Sequence, residues 1–271
     1  VARIEAARPL VMAADEAAAT LDVHVDVARD TDDAKRDLAI DVLLTGPDGR
    51  EFTARHLLAA GATTAAVRLT VPDPQLWWPV GHGAQPLYNL RVRLVDLDAW
   101  NGRIGLRTTR LVSGPDKHGP RFVIEINGKP IFCKGANWIP DDCFPTRVGR
   151  DRYRRRLEQA LGANMNMLRV WGGGIFETDT FYDLCDEMGL MVWQDFLFAC
   201  AMYEEGEPYR SLVEQEARQN VARLSPHPSL VIWNGCNENI WAYQTWGDEY
   251  NWKQAVGRSE ERRVGKECRS R

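Results

Sequence analysis

The sequence predicts two folds in one chain: an immunoglobulin-like β-sandwich over residues 1–112, then the first half of a (β/α)8 barrel over 113–256. Three observations carry this. Before residue 112 the apolar residues form short alternating runs separated by turn signals, the pattern of half-buried antiparallel strands. After it, short apolar runs alternate with amphipathic helical stretches, the βαβ rhythm of a parallel sheet. Each of these later runs empties into polar or glycine-rich residues, and in barrel enzymes that end of the strands holds the chemistry.

The chain opens within a strand. Residues 13–20 are rich in Ala and could pass for a helix, but the stretch is short and leads straight into a strand. There Leu21, Val23, Val25 and Val27 alternate with Asp22, His24 and Asp26. A strand over 38–44 follows, and Pro47-Asp-Gly49 turns it back from Phe52 onward. Further strands are expected over 65–71, ended by Pro72-Asp-Pro74, then over 88–95 and 104–112. Leu76-Trp-Trp-Pro-Val-Gly-His-Gly83 interrupts the series. Adjacent Trp residues on an extended chain point to opposite faces, so one is expected in the sandwich and one on a neighbour. A docking loop and a ligand contact both fit it.

From Phe122 the texture changes. Phe122-Val-Ile-Glu-Ile126, Asn127-Gly128 and Lys129-Pro-Ile-Phe132 read as a hairpin with a type I′ turn. A buried strand over 131–135 is expected next, ending in Ala136-Asn-Trp-Ile-Pro-Asp-Asp142. Residues 150–162 are amphipathic, with Tyr153, Leu157, Ala160 and Leu161 on one face. A strand over 166–171 empties into Gly172-Gly-Gly174, which suits a tight turn or close backbone approach to a ligand. A helix over 178–188 has Gly189 at its C′ position. A strand over 190–193 ends in Gln194-Asp195, a helix spans 207–224, and a fourth strand covers 230–233. A doubly wound sheet is the competing architecture, but no GxGxxG loop follows the first strand.

Composition narrows the function classes. A net charge of -4, with no basic run interleaved with aromatics, gives no case for nucleic acid. No stretch approaches 18 apolar residues, so no membrane span is expected. The six cysteines (133, 143, 185, 200, 236, 268) form no CxxC pair, so a metal site is not expected. Their scatter along apparent core elements fits free buried thiols in a reducing compartment. Residues 257–271 are charged at most positions and are expected to be disordered, as a non-family end or a solvated tail.

The stretch Val231-Ile-Trp-Asn-Gly-Cys-Asn-Glu-Asn239 is the strongest candidate for chemistry. It places one carboxylate, Glu238, at the mouth of a buried strand, where an acid or base belongs. The competing reading is that Asn237, Glu238 and Asn239 only cap the next helix.

Several motifs together resemble one family. Leu76-Trp-Trp-Pro79, Gln85-Pro-Leu-Tyr88 and Ile104-Gly-Leu-Arg107 are similar to the immunoglobulin-like domain of glycoside hydrolase family 2. Lys134-Gly-Ala-Asn-Trp-Ile-Pro140, Leu168-Arg-Val-Trp-Gly-Gly-Gly174, Trp193-Gln-Asp-Phe196 and Trp233-Asn-Gly-Cys-Asn-Glu-Asn239 resemble its β-mannosidase branch. The resemblance implies a retaining exo-acting hydrolase that removes terminal β-D-mannose from β-mannosides or manno-oligosaccharides, without metal or organic cofactor. It implies Glu238 as the acid/base and Asn237 as the partner of the sugar 2-hydroxyl. Trp138, Arg169, Trp171 and Trp246 match residues lining the mannose subsite. Asp142 and Asp195 lie at strand ends, either to bind sugar hydroxyls or to hold loops. The family's nucleophile follows a seventh barrel strand, so the resemblance implies a fragment with the acid/base alone, inactive by itself. Another family 2 exo-glycosidase, acting on β-galactosides or β-glucosaminides, and a non-catalytic carbohydrate-binding module remain the alternatives. The oligomeric state is left open.

Overall fold

The structure is a computed structural model that describes residues 2–31 and 35–242. The expectations for Trp246, Cys268 and the tail over 257–271 fall outside these residues. The chain divides into two compact units. The first comprises Val1–Cys133 with Asp186–Gly189 and Ala222–Ser229, and the second comprises Lys134–Cys185, Leu190–Val221 and Leu230–Arg271.

The first unit is antiparallel. One sheet has the order β1 (Arg3–Ala14), β2 (Ala18–Ala28), β5 (Thr64–Pro72). A second has the order β4 (Glu51–Leu58), β3 (Leu38–Thr45), β6 (Tyr88–Leu94), β7 (Asp98–Ile104). Strict alternation builds their shared core. Leu21, Val23, Val25 and Val27 of β2 are buried, with Ile40, Val42 and Leu44 of β3 and Leu90, Val92 and Leu94 of β6. A one-residue slip in any of these strands would turn its whole apolar set toward water, so register and burial specify each other. The third sheet orders β10 (Lys129–Ile131), β9 (Gly119–Ile126) and β8 (Thr109–Asp116).

One open reading is settled here, and two expectations are corrected. Residues 13–20 are not helical: Asp15 Oδ1 accepts from the amides of Ala17 and Ala18 at 2.8 and 2.9 Å, turning β1 back into β2. The run 104–112 is not one strand. Ile104 ends β7 and Thr109 begins β8, so position 112 lies inside β8. β7 itself is hidden in the sequence because Asn101-Gly102 reads as a turn. The indole of Trp100 fills the space over Gly102, where a Cβ would stand 2.3 Å from Cη2, and so covers the glycine within the strand. Finally, the first parallel strand is not 131–135 but β11 (Gly135–Trp138). Ile131 is still paired to Ile124 in the hairpin, and the chain must leave that sheet before it can join the next.

The hairpin turn is as expected, with Asn127 at φ 49° and Gly128 at φ 75°. Of the paired tryptophans, Trp77 is fully buried, and its Nε1 donates to the carbonyl of Asp186 at 2.9 Å. Trp78 is partly exposed, with the Lys129 ammonium 4.8 Å from its ring centroid.

The second unit is built from β11, α1 (Arg150–Gly162), β12 (Met167–Val170), α2 (Asp179–Met188), β13 (Met191–Asp195), α3 (Tyr209–Leu224), β14 (Leu230–Asn234) and α4 (Asn239–Trp241). The four strands are parallel and adjacent in chain order. Tyr153 and Leu157 are the buried face of α1, as its periodicity predicts. Gly189 stands at φ +73°, the left-handed turn that ends α2. β12 and β13 are buried on both faces, which is why they read as unbroken apolar runs. At Gly135 a Cβ would lie 1.9 Å from the carbonyl oxygen of Met167, so only glycine lets β11 approach β12 at this register.

Among the described residues no helix is long and apolar enough to cross a membrane. The cysteines correct another expectation: all five described are free, but only Cys185 is buried, and Cys143 and Cys200 are exposed.

Candidate active site

The ends of β12, β13 and β14 are bound together through one carboxylate. Asp195 closes β13, is fully buried, and accepts five hydrogen bonds. Arg169 of β12 donates two, from Nε at 3.1 Å and Nη2 at 2.6 Å. Trp193 Nε1 adds one at 3.0 Å, Asn234 Nδ2 one at 2.9 Å, and the amide of Gly172 one at 3.2 Å. A carboxylate has about four lone-pair positions, so none remains for a sugar hydroxyl. These bonds tie the ends of three strands together.

Arg169 passes this order on. The Nη2 that meets Asp195 also donates to Asn237 Oδ1 at 2.9 Å, and Nη1 lies 3.5 Å from Asn137 Oδ1. The guanidinium also stands 5.7 Å from the centroid of Trp193. Arg169 is thereby fixed on three sides, and its planar fork suits this use better than a lysine ammonium.

Glu238 follows directly. It occupies the N-cap position of α4, yet its side chain makes no capping hydrogen bond. The capping alternative therefore does not account for it. Its backbone is left-handed, φ 62° and ψ 7°, which costs a non-glycine residue about 1–2 kcal/mol. The residue is exposed, and its carboxylate Oε2 accepts from the thiol of Cys200 at 3.3 Å. Its carboxylate thus stands exposed just past the end of β14, on left-handed backbone and without a capping bond.

Of the two aromatic candidates, Trp138 ends β11 and Trp171 directly follows β12. Trp138 Nε1 donates to Glu177 Oε1 at 2.9 Å, and the ring lies 4.9 Å from Phe181. Glu177 is buried and also accepts from Tyr153 Oη at 2.5 Å. Burial, with this carboxylate next to it, pushes the Tyr153 phenol up to about 12. Trp171 is half-buried over Gly173, where a Cβ would stand 1.9 Å from Cζ3 of the ring. The glycine run is thus explained by ring room and by the close carbonyls of Phe196 and Phe198 around Gly172.

Asp142 lies apart from the Arg169 cluster in its bonding. Its Oδ1 accepts the amide of Phe144 at 2.9 Å and its Oδ2 accepts Arg152 Nη1 at 2.8 Å. These bonds hold its carboxyl below the usual range, the Phe144 amide contributing most. Its partners are those of a loop-holding residue.

Two residues beside these were not singled out from sequence. Cys200 looks like any core thiol, because nothing local announces that the loop after β13 returns beside Asn237. Glu177 looks like an ordinary first-turn carboxylate before α2, and only its burial between Trp138 and Tyr153 distinguishes it.

Comparison with known proteins agrees on one family. Residues 3–107 match the description "Glycosyl hydrolases family 2". The chain is 43% identical over 202 residues to the "Beta-mannosidase B" of Emericella nidulans, covering 73% of this chain and 24% of that protein. It is 48% identical over 172 residues to the "Beta-mannosidase" of Capra hircus, covering 61% of this chain and 20% of that one. Among solved structures, the β-D-mannosidase of Dictyoglomus thermophilum superposes with a TM-score of 0.82 at 38% identity, over 90% of this chain and 31% of that one. The chain spans about a quarter of the length of the curated relatives it matches.

Proposed function

Because the chain belongs to glycoside hydrolase family 2, and is similar to β-mannosidases in particular, we propose that it is part of a retaining exo-β-mannosidase, with Glu238 as the acid/base. In this reading the antiparallel sheets up to position 112 are the immunoglobulin-like sandwich. The strands β11 to β14 are the first half of a (β/α)8 barrel, whose chemistry gathers at the C-terminal ends of its strands.

The observation that carries the proposal is Glu238 itself, exposed after β14 on left-handed backbone, without a capping bond, and next to an Asn237 anchored by Arg169. As an acid it protonates the glycosidic oxygen while a second carboxylate about 5–5.5 Å away attacks the anomeric carbon. As a base it then takes a proton from the water that releases mannose. Asn237 presents an amide to the 2-hydroxyl, whose orientation separates mannosides from their epimers. Trp138 and Trp171 supply apolar ring faces for the sugar. The resemblance assigns the nucleophile to a seventh strand, and the described residues supply four parallel strands. We therefore expect the 271-residue chain alone not to turn over substrate.

Substrate class is tested by a panel of 4-nitrophenyl glycosides on the full-length protein. Preference for the β-mannoside over the β-galactoside and β-glucosaminide supports the proposal. A preference for either of the others overturns it.

A further inference from the structure

After β13 the chain comes back alongside the segment that follows β14. The amide of Asn237 donates to the carbonyl of Phe198 at 2.8 Å, and the amide of Cys200 donates to the carbonyl of Asn237 at 2.9 Å. Cys200 then takes left-handed backbone at φ 51°, as Glu238 does at φ 62°. Two non-glycine residues in this region, facing each other across one short bridge, are unusual, and strain of this kind persists only where the surroundings over-determine it. Its result here is specific. Cys200 Sγ lies 3.3 Å from Asn237 Nδ2 and 3.3 Å from Glu238 Oε2.

The hydrogen bonds through these groups all run the same way. Arg169 Nη2 donates to Asn237 Oδ1, Asn237 Nδ2 donates to Cys200 Sγ, and the Cys200 thiol donates to Glu238 Oε2. A cation stands at one end and a carboxylate at the other, and donors aligned in series polarise one another. Both Cys200 and Glu238 are exposed, so apolar packing does not explain why a thiol occupies this place.

Resting on the proposed acid/base role of Glu238, we propose that Cys200 is a positioning residue, whose thiol, fixed by Asn237, holds Glu238 Oε2 and leaves the other carboxylate oxygen for the glycosidic bond. The carboxylate in turn keeps the thiol in its donor state, because Glu238 beside it pushes Cys200 above the ordinary cysteine value.

Two measurements test this. In the first, the chain is alkylated with limiting iodoacetamide at pH 8, and peptide mass spectrometry compares labelling of Cys200 with that of exposed Cys143. Glu238→Gln removes the charge that suppresses the thiolate, so the Cys200-to-Cys143 ratio is expected to rise about threefold or more. An unchanged ratio overturns the contact. In the second, Cys200→Ala in the full-length protein is expected to lower kcat/KM, which reports the first step, about tenfold on 4-methylumbelliferyl β-mannoside, whose more basic leaving group draws on a proton. The same variant should stay within about twofold on 2,4-dinitrophenyl β-mannoside, which needs none, and Cys200→Ser should recover most of the loss. Equal losses on both substrates, or no rescue by serine, reduce Cys200 to a structural role and overturn the proposal. Lack of turnover by the unsubstituted protein sinks the mannosidase reading instead, and the alkylation ratio still decides the contact.

Discussion

Arg169 and Asp195, 26 residues apart in sequence, form a two-pronged ion pair at 3.1 and 2.6 Å on adjacent parallel strands, and the same guanidinium extends to Asn237. The pair converts strand pairing into placement of the residue beside Glu238. Its stability and its geometry are therefore linked.

Removing the cation leaves a fully buried Asp195 with three neutral donors. Arg169→Met is expected to destabilise the chain by about 3–5 kcal/mol, the usual cost of an uncompensated buried charge. Arg169→Lys keeps the charge but loses the fork, and should recover only part of this. Urea unfolding followed by tryptophan fluorescence measures both, and a loss under about 1 kcal/mol for Arg169→Met contradicts the account.

Gly135 offers a packing test away from the charges. A methyl group there meets the carbonyl oxygen of Met167 at 1.9 Å, and backbone cannot swing aside as a side chain can. Gly135→Ala should cost about 1–3 kcal/mol and loosen β11 from β12, visible as faster amide exchange over residues 167–170. Unchanged exchange would show that the strands can separate without penalty.

Much of this region was legible in the sequence because local signals and burial coincide there. The helix α1, the Asn127-Gly128 turn and the doubly buried strands each need only nearby residues to specify them. Residues Arg169, Asn237 and Glu238 were also singled out, and the structure joins the first two directly and places the third next in chain. What the sequence hid has a common cause. β7 depends on Trp100 covering Gly102, β11 on where the preceding hairpin releases the chain, and Cys200 on a loop returning to Asn237. Each is set by a partner that no local pattern announces.

Tyr153 gives a pH dependence with a definite sign. Its phenol is raised from about 10 to about 12 in the folded chain, so it stays protonated where the unfolded chain has begun to ionise. Its contribution is complete below pH about 10 and is lost as pH rises toward 12, at no more than about 1.4 kcal/mol per pH unit. Urea midpoints at pH 9, 10 and 11 should fall, and Tyr153→Phe should flatten the decline. An equal slope in the variant would assign the effect to other groups.

The proposed role of Glu238 needs a second carboxylate, which the resemblance assigns to a seventh strand, and the described residues supply four parallel strands. The purified 271-residue chain is expected to show no turnover of 4-nitrophenyl β-mannoside above a Glu238→Gln control. Measurable hydrolysis that the substitution abolishes would mean a second carboxylate in this chain completes the site.

If Glu238 is the acid/base, Glu238→Gln in the full-length protein should act differently on two substrates. On 4-methylumbelliferyl β-mannoside kcat/KM should fall at least about a hundredfold, in line with loss of general acid catalysis. On 2,4-dinitrophenyl β-mannoside the first step should survive, and added azide should speed turnover by replacing the water that Glu238 no longer activates. Full activity of the variant on the methylumbelliferyl substrate, or equal loss on both with no response to azide, would contradict that role.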